Sequence, residues 1–194
     1  MNTYFENMLE TIAKSINSMD LAVFDQLVEE CVNTLNRGGK IILSGLGKNV
    51  PVCDKFVGTM NSLGQNAAFM NTNSAVHGDI GIVQDNDLVI VLTKSGETVE
   101  SVYLTSLLKQ RNADIWLLSF CPESTLTRAI GKCLILDLAD EGDQWNIVPN
   151  NSTTVNLIVL QGLAMEITKR RGVTLQDFKK NHPGGFIGEQ LKNV

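Results

Sequence analysis

Ile41-Ile42-Leu43-Ser44-Gly45-Leu46-Gly47-Lys48 is the stretch on which the fold turns. A short apolar run enters a turn with two glycines and a serine, and a helical pattern resumes within a few residues. Leu88-Val89-Ile90-Val91-Leu92 repeats the arrangement, running into Thr93-Lys94-Ser95-Gly96-Glu97-Thr98. Both read as buried strands followed by strand-to-helix turns. Outward from this pair, apolar runs at Ala67 to Met70, Ile115 to Leu118 and Cys133 to Leu138 bring the strand count to five. Val52 to Leu63, Val99 to Lys109 and Glu123 to Ile130 read as the helices between them, with Pro51 and Pro122 at or near helix starts, where a missing amide donor is harmless. Strands alternating with helices predict an α/β fold, a parallel sheet covered on both faces.

The first 36 residues carry apolar positions at helical spacing, Met8, Ile12 and Ile16 and then Leu21 through Leu35. Asp20 is placed to cap the second of these helices, and Gly38-Gly39 to end it. After the fifth strand a polar loop, Asp140 to Asn151, leads to a long helix with Ser152-Thr153-Thr154 at its start, stopped by Gly172. The last twenty residues contain His182-Pro183-Gly184-Gly185 and read as a tail with one short helix. No linker divides the chain, so residues 1–194 are expected to form one domain, with N-terminal helices over 1–37 and the sheet, its helices and the tail over 38–194.

At 194 residues with 43% hydrophobic content, the chain can bury a real core without staples. A net charge of −5 argues against a nucleic-acid footprint, and the one basic run, Lys169-Arg170-Arg171, falls where cations favour a helix C-terminus. The four cysteines show no CxxC pairing and read as reduced thiols, two of them in the core. Neither a signal-like N-terminus nor a membrane span is legible, which predicts a cytoplasmic protein without membrane partners.

In an open parallel sheet, ligands bind where the strands end. Glycines there let the backbone come close, while amides at helix starts and Ser and Thr hydroxyls can hold a phosphate dianion, with Lys48 adding charge. Neither turn is a dinucleotide fingerprint or a Walker loop, so a nucleotide is disfavoured. The only histidines, His77 in His77-Gly78-Asp79 and His182, are poorly spaced for zinc, and no metal site is expected. Glu97 and Glu100 are expected to share a helix face near its N-terminus; Glu141 and Asp143 fall in the polar loop.

SGLGK (44–48), HGD (77–79), SGET (95–98) followed by Glu100, PNNSTT (149–154) and HPGG (182–185) stand in an order that resembles the SIS (sugar isomerase) domain of arabinose 5-phosphate isomerases, over roughly residues 38–191. The resemblance implies a flavodoxin-like three-layer αβα sandwich with a five-stranded parallel sheet. It implies a homotetramer whose active sites borrow residues from neighbouring subunits, and interconversion of ribulose 5-phosphate with arabinose 5-phosphate. Ser44, Ser95 and Thr98, with Gly45, Gly47 and Gly96, would hold the phosphate, and Ser152 and Thr153 would lie near it. Lys48, His77, Glu100, Glu141 and His182 match positions the family uses around the sugar.

Moving a proton between C1 and C2 through an enediol needs an acid, a base and a stabiliser of the developing oxyanion. Lys48 suits the last task, His182 the principal acid/base and His77 ring opening or substrate polarisation, with no cofactor required. Three departures from the family stand out: Thr93-Lys94 in place of Ser and a small neutral residue, an extra cation expected to alter the anion site; no Cys-Pro after Glu141; and no tandem CBS domains after HPGG, so that regulation by such domains is not expected. Two other readings are an isomerase of another phosphosugar, such as a 3-hexulose 6-phosphate, and a non-catalytic phosphosugar sensor binding through Ser44, Ser95 and Thr98.

Overall fold

The structure is a computed structural model and describes residues 2–192. Five parallel strands, β1 (Ile41–Gly45), β2 (Ala67–Asn71), β3 (Leu88–Leu92), β4 (Asp114–Ser119) and β5 (Cys133–Ile135), lie in the order β2-β1-β3-β4-β5. This is the doubly wound order whose switch point falls between β1 and β3, the two strands that feed the glycine turns. Every residue of β1 and β3 is buried, and alternate side chains serve opposite faces. Ile41, Leu43, Leu88, Ile90 and Leu92 join one apolar cluster, while Ile42, Val89 and Val91 join the other.

Helices cover both faces: α1 (Asn2–Asn17), α2 (Leu21–Asn36), α3 (Asn49–Ser62) and α7 (Asn151–Arg170) serve the first cluster, and α4 (Thr72–Ala75), α5 (Val99–Leu108) and α6 (Thr125–Ile130) the second. Asp20 caps α2 as its position predicts, its carboxylate accepting from the Ala22 and Val23 amides at 2.8 and 3.3 Å. Leu27, Val28, Cys31 and Leu35 of α2 are buried, and α2 packs on the sheet while α1 packs on α7. Burying each large aliphatic of this set contributes about 1.5–3 kcal/mol. Cys31 and Cys53 are buried, all four thiols are free, and burial pushes the Cys53 thiol up to about 12.

The element boundaries depart from the sequence reading in several places. Helix α3 begins at Asn49, so Pro51 lies inside its first turn. Helix α6 begins at Thr125, because Ser124 and Thr127 form a reciprocal capping box there. Strand β5 stops at Ile135, three residues before the apolar run ends. A short helix, α4, and a 3₁₀ turn over Asp79–Ile82 occupy the segment around His77. The tail holds two short helices, α8 (Leu175–Lys180) and α9 (Gly185–Leu191), where one was expected. The cap of α7 is also not the expected one. Ser152 lies within the helix and Asn150 at the N-cap position makes no side-chain cap, so the capping acceptor comes from elsewhere in the chain.

Candidate functional site

Ser44 is the penultimate residue of β1, fully buried, with its Oγ 3.0 Å from Oγ1 of Thr72 on the neighbouring β2–α4 corner. A Cβ on Gly45 would stand 3.0 Å from Cβ of Asn49 and 3.2 Å from Sγ of Cys53, so glycine lets α3 start directly against the strand end. Gly47 turns the chain with φ +55°, and the Asn49 and Val50 amides bond back to the carbonyls of Leu46 and Gly47. This turn therefore presents side chains, Lys48 foremost, rather than those two amides.

The β3 turn is built differently. Thr93 Oγ1 accepts from the Gly96 amide and Ser95 Oγ from the Glu97 amide, each at 3.2 Å, and Thr98 Oγ1 lies 3.5 Å from Thr93 Oγ1. The loop's own hydroxyl oxygens thus take amides that an anion could take. Gly96 has φ +68°, and a Cβ there would fall 2.0 Å from Ser124 Oγ, so the turn packs tightly on the cap of α6. Glu97 lies outside α5 and accepts from the Thr125 amide at 2.7 Å, which together with the Thr125 side chain holds its carboxyl below the usual range. Its expected sharing of the helix face with Glu100 does not occur. Only Glu100 is in the first turn of α5, exposed at the strand-end rim.

The missing cap of α7 is Glu141. Its side chain is fully buried, and Oε2 accepts from the amides of Asn150 at 3.0 Å and Ser152 at 2.9 Å. Oε1 lies 2.6 Å from Nζ of Lys94, in the β3 turn. Burial is the largest single influence on this carboxyl and works against its charge. Lys94 and the two amides outweigh it, so the pKa lies below the ordinary glutamate value. Asp143 steadies the same loop by accepting from the amides of Trp145, Ile147 and Val148 at 2.9–3.0 Å. From α7, Asn156 Nδ2 donates to Asn49 Oδ1 at 3.1 Å, tying the first turn of α3 to the second turn of α7.

A cavity of about 200 Å³ opens where these pieces meet, lined among others by Gly47, Lys48, Asn49, Lys94, Ser152 and Thr153. Two other hollows, of about 440 and 340 Å³, lie between α1 and residues 139–143 and beside the tail. His77 follows α4 on the strand-end side, exposed, five residues beyond the Thr72 that meets Ser44. His182 is elsewhere. Its neighbour Asn181 donates to the carbonyl of Ser62 at 3.2 Å, at the far end of α3 from Lys48. With 14 residues, α3 puts about 20 Å between those ends. The imidazole stacks on Phe178 with ring centroids 3.9 Å apart, and Nδ1 lies 3.1 Å from the Phe178 carbonyl.

Sequence reasoning passed over Thr72 and Asn156, and read Lys94 as an extra cation at the anion site without finding its partner. The one visible signal was an asparagine at position 156 inside an otherwise apolar helix face. The Thr72–Ser44 and Lys94–Glu141 contacts join residues 28 and 47 positions apart, which no local pattern announces.

The profile of the SIS domain matches residues 34–165, which include both glycine turns and the start of α7. The chain belongs to the SIS domain family. Arabinose 5-phosphate isomerase KdsD of Escherichia coli O6:H1 strain CFT073 is 34% identical over 176 residues, covering 88% of this chain and 54% of the relative. This SIS chain thus spans about half the length of the curated relatives it matches. Among solved structures, c3406 of E. coli CFT073 in complex with arabinose 5-phosphate is 28% identical and superposes with a TM-score of 0.86 over 93% of this chain and 94% of that one. A Listeria monocytogenes protein at 21% identity shares the fold, with a TM-score of 0.87 and 94% of each chain covered. No helix among the described residues is long and apolar enough to cross a membrane.

Proposed function

We propose that this SIS domain is a sugar-phosphate aldose–ketose isomerase interconverting D-ribulose 5-phosphate and D-arabinose 5-phosphate. The observation that carries the reading is a small cavity at the switch point of the sheet, where Gly47 and Lys48 of the β1 turn and Lys94 of the β3 turn meet Ser152 and Thr153 of α7. The names of the KdsD relatives and the arabinose 5-phosphate bound to c3406 support the pentose phosphate. The phosphate belongs with Ser44, Ser95, Thr98 and the adjoining Gly45, Gly47 and Gly96, with Ser152 and Thr153 beside it.

Lys48, exposed at the cavity wall, stabilises the oxyanion that develops as the carbonyl enolises. His77, on the same side, assists ring opening, and Glu100 stands at the rim. Glu141 is held by one ammonium and two amides, an environment suited to positioning α7 rather than to exchanging protons. His182 is the principal acid/base. Because it lies about 20 Å from Lys48 along α3, it serves a site in another copy of the chain, which is the reason to propose a homotetramer with shared active sites. Proton transfer through an enediol asks for no metal or organic cofactor, and metabolic sugar phosphates place the enzyme in the cytoplasm. Residues 1–194 act as one domain.

An isomerase assay with arabinose 5-phosphate and ribulose 5-phosphate, beside a panel of other sugar phosphates, tests the reading. Turnover of the pentose pair is the expected result. Turnover only of another phosphosugar would move the substrate, and binding without turnover of any would leave a sensor.

A further inference from the structure

We propose that Lys94 is a binding residue of this site, the cation that returns positive potential to the cavity after the buried Glu141 carboxylate has neutralised the amino end of α7. The inference deepens the phosphosugar reading above and rests on it. Helix α7 runs 20 residues and starts at the cavity wall, where its dipole amounts to roughly half a positive charge. Left free, that end would attract a phosphate. It is not free, because Glu141 Oε2 already holds the amides of Asn150 and Ser152. A full carboxylate against half a positive charge leaves the α7 end net negative, beside the Ser152 and Thr153 that line the cavity.

Lys94 reverses the sign. Its Nζ sits 2.6 Å from Oε1 of Glu141, the carboxylate has no exposed surface, and the lysine side chain is 46% exposed while lining the cavity. The ammonium is thus the member of the pair that faces an incoming anion. It carries three donors, and the pairing with Glu141 uses one direction. Among the other charges nearby, Lys48 lines the same cavity and adds to the field, while Asp143 is turned onto the amides of its own loop. Lys94 also lies next to Ser95, so the ion pair fixes the β3 turn and the α7 end relative to each other.

The test is a set of variants, K94M, K94R, E141Q and K94M/E141Q, each read by calorimetric titration of inorganic phosphate and by steady-state kinetics on the sugar phosphate the wild type turns over. K94M is expected to weaken phosphate binding and raise KM about tenfold, the range of one charge-assisted hydrogen bond, with kcat changed less than about threefold. K94R should retain affinity, and E141Q should tighten phosphate by removing the opposing charge. The step from E141Q to K94M/E141Q, in which no buried charge is left unpaired, should show the same tenfold loss and reads the effect even where K94M alone fails to fold. Unchanged phosphate affinity across that step, or a K94M variant that loses thermal stability but keeps its KM, would overturn the proposal. A wild type that turns over no sugar phosphate but loses phosphate on K94M substitution would overturn the isomerase reading and leave Lys94 standing.

Discussion

The two ends of α3 carry the two halves of the proposed chemistry, and they are built on different principles. Where the strands finish, contacts between distant residues dominate: Ser44 with Thr72, Lys94 with Glu141, Asn49 with Asn156, and Gly96 against Ser124. Most of those polar groups are buried, so each needs its partner to offset lost hydration. Around His182 the hydrogen bonds include several local ones: the Thr174–Asp177 capping box, Lys180 on Asp177, and the imidazole on Phe178 four residues back, with Asn181 on Ser62 reaching the body of the domain.

The sharpest way to break this comparison is to test whether the two ends act in one chain. His182→Ala should cost about 10² to 10⁴ in kcat with folding intact, and so should Lys48→Ala. Mixing the two inactive proteins under conditions that exchange subunits should restore part of the activity. An inactive mixture, with exchange verified, would mean that both residues serve one chain's site and that the tail moves. Next in size, Gly96→Ala should lose about 2–4 kcal/mol in denaturant unfolding, since the added Cβ meets Ser124 and the φ of +68° is strained for any L side chain.

Glu141→Gln should change the acid limb of stability. The folded carboxyl lies below its ordinary 4.5, so its contribution is present above about that pH and disappears as pH falls through the folded value. Thermal melts from pH 7 to 3 should therefore fall less steeply in the variant than in wild type; parallel curves would remove Glu141 from the α7 cap. The smallest effect belongs to the tail. Thr174→Ala should loosen α8 by about 1 kcal/mol, seen as faster amide exchange over 175–181 while the strand-end turns stay protected.

Much of the fold was legible because burial on both faces forces unbroken apolar runs such as Leu88–Leu92, and because a doubly wound sheet needs a turn after each strand. Asp20 and Gly172 marked helix ends through backbone chemistry that operates within a few residues. The capping box at Ser124 and the second tail helix were equally local and were simply not read. Most of the candidate site residues were likewise visible as motifs.

What the tertiary structure alone decided was how those motifs are joined. The amino end of α7 looked ready for a cap from Ser152 or Thr153, yet the acceptor is Glu141, 11 residues before Ser152, with its charge balanced by Lys94 from another strand's turn. Likewise HPGG and SGLGK both read as site motifs, and only the fold shows them at opposite ends of α3. Local sequence determines which residues can bend, cap or pack. Which buried charge meets which partner depends on the closure of the sheet, because a desolvated carboxylate is stable only where the whole fold brings a cation and free amides to it.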